Sequence, residues 1–211
     1  MIARKYYNYI ILFIFLAIWL WSGWHPADRV NWLAENQAVF YFMPFLLWLI
    51  FYFRLSKLSL TLILTFLTLH VIGTHYNYGF VPFGNYIEHF FHSPRNSYDR
   101  FVHFFFGFLM SYPISEVFLS KLKIKGFLNY YFIFAILLSS SAIYEIFEWV
   151  SVSNLNPHVG YLFIGGTDPF DCPKDMLMAA LGSIAALSII ALIRWLKKDK
   201  DLASNNSIVT K

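Results

Sequence analysis

The stretch FLNYYFIFAILLSSSAIYEIFEW, running from Phe127 to Trp149, decides the fold class. It contains no Lys, Arg, Gly or Pro, and its two acids, Glu145 and Glu148, lie together near one end. At a rise of about 1.5 Å per residue, a helix of this length crosses a hydrocarbon core of about 30 Å. Outward from it, five further runs, near residues 8–24, 38–53, 59–76, 100–118 and 175–196, approach the same length. The composition agrees: 58% of the 211 residues are apolar and only 13% are charged, against roughly 25% charged residues in a soluble domain. So few charges cannot cover a water-facing surface, whereas a lipid-facing one needs few. The 24 Phe, 14 Tyr and 7 Trp suit a bilayer and its headgroup boundary. The first run follows Arg4 and Lys5 but is long, rich in Trp and without an A-x-A cleavage pattern, so it reads as an uncleaved helix.

Short cytoplasmic segments collect Lys and Arg. Of the 16 such residues, Arg29, Arg95, Arg100 and Lys174 fall on one side of the spans and the rest on the other. The sequence therefore predicts an all-α fold: six transmembrane helices in one bundle, with both termini in the cytoplasm. The membrane domain covers residues 1–198, and the polar, non-periodic segment 199–211 reads as a disordered cytoplasmic tail. The net charge of +4 comes without the interleaved basic and aromatic patch that tracks a phosphate backbone, so nucleic acid is not an expected partner. A single cysteine, Cys172, excludes an internal disulfide and a multi-thiolate metal site. No internal repeat supports an inverted-repeat transporter.

The external loops, about 25–37, 77–99 and 150–174, are long and hold acids and aromatics, which points any chemistry outward. In the middle one, Tyr86, Ile87, Phe90 and Phe91 beside Glu88, His89 and His92 predict a short interfacial helix.

An ionisable group at mid-membrane costs roughly 2.5 to 3.5 kcal/mol on insertion scales, so each one requires a reason. The fourth span opens with Asp99 and Arg100 and places His103 one turn below Asp99 on the same face, continued by Gly107 and Ser111. Glu145 lies at similar depth on the fifth span. The sixth opens at Asp168-Pro169-Phe170-Asp171-Cys172-Pro173-Lys174-Asp175, with Pro173 suited to a first helical position and Asp175 in the first turn. Ala179, Gly182, Ser183 and Ala186 let this helix approach the fourth and fifth closely.

Taken singly, these groups have ordinary explanations. Asp175 stabilises a helix N-terminus, Asp99 and Arg100 cap and anchor, His70 packs by a hydrogen bond, with His75 near it at the same end of the third span, and Glu116 near Lys121 is solvated at the cytoplasmic edge. Together, Asp99, His103, Glu145, Glu148, Asp171 and Asp175 bring five carboxylates and one imidazole to one end of three helices. Like charges at that density require a cation or shared protons. Asp at i with His at i+4, and Glu at i with Glu at i+3, each project two ligands from one helix face. The set predicts one divalent metal held by Asp99, His103, Glu145, Glu148, Asp171 and Asp175, with His103, Glu145 and Asp99 as catalytic candidates. Mn, Mg, Ca and Zn all suit these donors.

At these residues the chain resembles the YjdF-like family of bacterial inner-membrane proteins, small polytopic proteins grouped under a domain of unknown function. The resemblance runs from Trp21-Ser22-Gly23 through Asp28-Arg29 to the sixth span. Its most specific parts are Ser93-Pro94-Arg95-Asn96-Ser97-Tyr98-Asp99-Arg100, His103-Phe104, Gly107-Phe108, Tyr144-Glu145-Ile146-Phe147-Glu148-Trp149, and Gly166-Thr167-Asp168 leading to Asp171 and Asp175. It implies a multi-pass protein of the bacterial inner membrane and supplies no reaction. A looser similarity joins the Asp-x-x-x-His opening, the Glu-bearing helix and the Asp before the last span to VanZ-like membrane proteins.

No Gly-x-Ser-x-Gly turn is present, which argues against a serine hydrolase of that kind. Three classes fit the residues: a metal-dependent enzyme acting on a lipid or envelope precursor from outside; a transporter or proton-coupled channel using the same carboxylates; and an assembly protein whose polar core fixes helix packing. A lipid-sized groove opening sideways favours the first, and a polar passage to the cytoplasmic face favours the second.

Overall fold

In the computed structural model, which describes residues 2–91, 96–154 and 170–209, every described regular element is helical and no strand occurs among the described residues. The order is α1 (Ile2–Ser22), α2 (Arg29–Phe53), α3 (Lys57–His75), a short α4 (Pro82–Phe91), α5 (Tyr98–Val117) continued by one π-helical turn (Phe118–Leu122), α6 (Phe127–Asn154) and α7 (Asp171–Val209). Among the described residues, 4 helices are long and apolar enough to cross a membrane: Lys57–His75, Tyr98–Leu122, Phe127–Val150 and Asp171–Lys197. The apolar part of α1, Tyr6–Ser22, is shorter. The backbone of α7 stays helical beyond Lys197, through most of the polar segment, to Val209.

Two helix starts differ from the sequence reading, and both move an acid into the bundle. The Asp28 carboxylate accepts from the Asn31 backbone N–H at 2.7 Å and caps α2, which begins at Arg29 and not near residue 38. Glu35, assigned from sequence to the external loop, is therefore helical and buried. Likewise α7 begins at Asp171, so Pro173 stands inside the first turn and not at its first position. The short helix expected from Tyr86 onward is present as α4, which opens earlier, at Pro82.

Helix α5 is the centre of the bundle, packed on α3, α6 and α7, while α1 and α2 pack on α3. The main core contains Leu46, Leu60, Leu64, Val71, Ile133 and Leu137. A smaller cluster of Val81, Tyr98 and Val102 fastens the segment after α3 to α5, where the Tyr98 hydroxyl donates to the Leu69 carbonyl at 2.8 Å. The closest helix contact is between α5 and α7. A Cβ added to Gly107 would lie 1.9 Å from the Ala179 carbonyl oxygen, and one added to Gly182 would lie 1.9 Å from that of Phe104. Glycine at both positions sets this separation, as expected where membrane helices meet through small residues.

Polar side chains fasten the two ends. At the end where α1 and α3 finish and α2 begins, Trp19 Nε1 donates to Asn36 Oδ1 at 2.8 Å, and Asn36 Nδ2 donates to Thr74 Oγ1 at 3.0 Å, tying α1, α2 and α3 together. At the opposite end, Arg194 reaches Ser115, Tyr130 and Asn129 at 2.7, 3.1 and 3.4 Å, joining α7 to α5 and α6. Glu116 is not a solvated partner of Lys121. It accepts from the Ser56 backbone N–H and hydroxyl, each at 2.8 Å, and from the Ser59 hydroxyl, which completes the N-terminal cap of α3.

Candidate functional site

The N-terminal parts of α2, α5 and α7 and the C-terminal part of α6 converge on one polar cluster. The Asp99 to His103 spacing on α5 turns both side chains to the same face. His103 Nε2 lies 3.2 Å from Glu145 Oε1 on α6 and 3.7 Å from Asp99 Oδ1, and its Nδ1 is 3.3 Å from the Ser141 hydroxyl. Its exposure is 7%, with Glu145 at 4% and Asp175 at 1%, so these groups interact away from bulk water.

A second group adjoins this pair. Asp99, Asp171 and Asp175 each offer an oxygen, and the three atoms lie within 4.8 Å of one another. Two ligands of one ion cannot be farther apart than twice the metal–oxygen distance, about 4.2 Å for Mg and about 4.6 to 5.2 Å for Ca. The three oxygens thus lie within the span of a single calcium-sized coordination sphere. Arg100 lies against the same acids: its Nη2 donates to Asp171 Oδ1 at 3.4 Å, and its Nε is 3.9 Å from Asp175 Oδ1.

Of the six metal-ligand candidates, the three aspartates form one group and His103 with Glu145 forms a neighbouring one, bridged by Asp99. Glu148 is outside the aspartate group, although the charges of Asp99, Glu35, Glu145 and Asp175 all act on it. Asp168 and His92 lie outside the described residues, as do Ser93, Pro94 and Arg95.

Glu35 is the member that sequence reasoning missed. Its Oε2 accepts a 2.7 Å hydrogen bond from the Tyr144 hydroxyl, which links α2 to α6 across the top of the site. The available signal was Asp28, whose capping role brings Glu35 two turns into the helix. With Glu35, the described cluster has six carboxylates facing Arg100 and His103, an imbalance that protons or a bound cation must reduce.

The two histidines of α3 separate. His75 donates from Nδ1 to the Ser22 carbonyl at 2.9 Å and stacks on Trp21, so it belongs to the joint between α1 and α3. His70 is buried, and its Nδ1 is 2.6 Å from the Tyr78 hydroxyl. Burial pushes the Tyr78 phenol well above its ordinary value, so it keeps its proton. The hydroxyl then donates to Nδ1 and leaves the proton of the neutral imidazole on Nε2. The Glu35 backbone carbonyl is near the ring, but Nε2 makes no hydrogen bond among the described residues.

Beneath the cluster is a cavity of about 700 Å³. His70, Tyr78, Asp99, His103, Ser141 and Tyr144 line its polar end, and the remaining wall is largely apolar, including Val39, Phe66, Leu67, Phe106, Met110 and Leu137. Phe45 of α2 and Ile136 of α6 also line it and are 50% and 41% exposed, which marks a lateral mouth between these helices.

Residues 7–198 match the family described as predicted membrane protein, DUF2238. The chain belongs to this DUF2238 family. It is 26% identical over 175 residues to the inner membrane protein YjdF of Escherichia coli strain K12, covering 82% of this chain and 84% of that protein. No solved structure matches. With its apolar helices, the chain is a multi-pass protein of the bacterial inner membrane.

Proposed function

We propose that this DUF2238 member is an enzyme of the outer leaflet of the inner membrane, acting on a lipid or lipid-linked envelope precursor. The observation that carries the reading is the apolar cavity with a lateral mouth and a polar end at Asp99 and His103. Such a space suits a substrate arriving from the bilayer, whereas a water-borne solute needs polar walls. The inner polar groups favour this over transport, because Ser115, Asn129 and Glu116 are engaged in fastening helices and line no part of the cavity. The topology in this proposal is six spans with both termini cytoplasmic, which sets the cluster at the external face, in keeping with the unequal Lys and Arg distribution.

Within that reading, Asp99, Asp171 and Asp175 would hold one divalent ion, which would supply Lewis-acid polarisation of a phosphoryl or acyl oxygen. His103 moves a proton, with Glu145 and Asp99 orienting the imidazole from Nε2. Arg100 balances the aspartate charge and steers the same carboxylates. Glu145→Gln tests the assignment, since it retains shape and hydrogen-bonding capacity while deleting charge. In cells that depend on the gene, the variant should insert and accumulate but fail to support growth, and His103→Ala should behave alike. Unimpaired growth with both variants would overturn the catalytic reading.

A further inference from the structure

The cavity has features that narrow its occupant. Along α5 it extends from Asp99 to Ile114, about 22 Å at 1.5 Å per residue, of which the part below His103 is about 16 Å. That is close to half of a hydrocarbon core of about 30 Å, the depth of one leaflet. A water-sized group occupies about 30 Å³, and a methylene is on the same scale, so 700 Å³ accommodates roughly 20 such groups. That is enough for one chain with a small head and too little for two. The lateral mouth at Phe45 and Ile136 admits the chain from lipid, and the Tyr144 to Glu35 bond bridges α2 and α6 at the outer end.

The polar end restricts the head. His70, which is 6% exposed, presents a donor at Nε2 that has the Glu35 backbone carbonyl near it but makes no hydrogen bond of good geometry among the described residues. A buried donor left poorly paired is costly, so an acceptor atom on a ligand is favoured there. Asp99 lines the same end and accepts. Asp99, Glu145, Asp171 and Asp175 alone carry four carboxylates against the three positive charges of a divalent ion and Arg100, which opposes an anionic head.

Resting on the enzyme reading above, we infer that the site takes a neutral, single-chain lipid whose head combines a carbonyl with a hydroxyl, as in a monoacylglycerol. The acyl chain fills the cavity between α2, α3, α5 and α6. The ester carbonyl accepts from His70 Nε2, and a head hydroxyl donates to Asp99.

The test is native mass spectrometry of the full chain, released from a detergent with a bulky sugar head and titrated with 1-palmitoylglycerol or with the anionic 1-palmitoyl lysophosphatidate. The expected result is saturable binding of one palmitoylglycerol per chain, in preference to the anionic lipid. Ile136→Trp, at an exposed position in the mouth, should abolish it. His70→Phe should weaken it about tenfold, the change corresponding to 1.4 kcal/mol, and His70→Gln should restore part of the loss. Undiminished binding in Ile136→Trp, an unchanged affinity in His70→Phe, or stronger binding of lysophosphatidate would each overturn the inference. Asp175→Asn keeps the two proposals separable, because Asp175 does not line the cavity. If that variant binds the lipid but has lost function, the lipid site stands; if lipid binding is absent while the metal and function are retained, only this inference fails.

Discussion

Gly107→Ala tests how far the site depends on the separation of α5 and α7. The added Cβ would stand 1.9 Å from the Ala179 carbonyl oxygen and 2.8 Å from the Ser183 nitrogen, both backbone atoms that no rotamer change can remove. Ordinary contact begins at 3.4 Å, so the helices must part locally by about 1.5 Å, the difference between 3.4 and 1.9 Å. Overpacking of this kind costs typically 1 to 3 kcal/mol, and rigid backbone on both sides places it at the upper end. For a chain of this size each kcal/mol lowers the melting temperature by roughly 2 to 4 °C, so a fall of roughly 5 to 10 °C is expected in detergent. The consequence reaches the site because Asp99 and His103 are on α5, and Asp171 and Asp175 on α7. A displacement of about 1 Å can cost roughly a hundredfold in rate. Gly79→Ala is the control, since its added Cβ finds its nearest atom at 3.6 Å. Equal melting temperatures and equal growth support for the two variants would refute the packing argument.

Glu116→Ala removes the acceptor for the Ser56 backbone N–H and for the Ser56 and Ser59 hydroxyls. It should destabilise by about 1 to 2 kcal/mol, measurable in thermal unfolding of the purified protein, and an unchanged melting curve would contradict its capping role. A reporter that matures only in the cytoplasm, fused after Lys200, should be active, and one that requires the periplasm should be silent. The opposite pattern would invert the proposed topology.

The sequence shows most clearly what is local. Asp99 and His103 share a face because they are one turn apart, and Glu145 shares their depth because the lengths of consecutive spans can be counted. Asp171 and Asp175 are brought in by the same reasoning, with Gly182 and Ser183 marking the face turned to α5. The contacts that sequence reading missed are non-local. Glu116 stabilises a helix start 60 residues away at Ser56, a relation that no spacing rule contains. His75 has its role set by Ser22 and Trp21 on another helix. The cavity is a property of how four helices fail to meet, so its walls cannot be read from any one of them. Glu35 is the intermediate case: an Asp at a helix start is a readable signal, yet the hydrophobic run begins later and pulled the boundary with it.

Elemental analysis of the purified protein, compared with Asp175→Asn prepared identically, tests the central claim most directly. Asp175 is one of the three aspartates whose oxygens stand within 4.8 Å of one another, and it is almost fully buried. The account predicts close to one divalent ion per chain in the wild type, lost in Asp175→Asn together with function, while the variant still folds and inserts. A wild-type protein that supports growth yet holds no more metal than Asp175→Asn would contradict it.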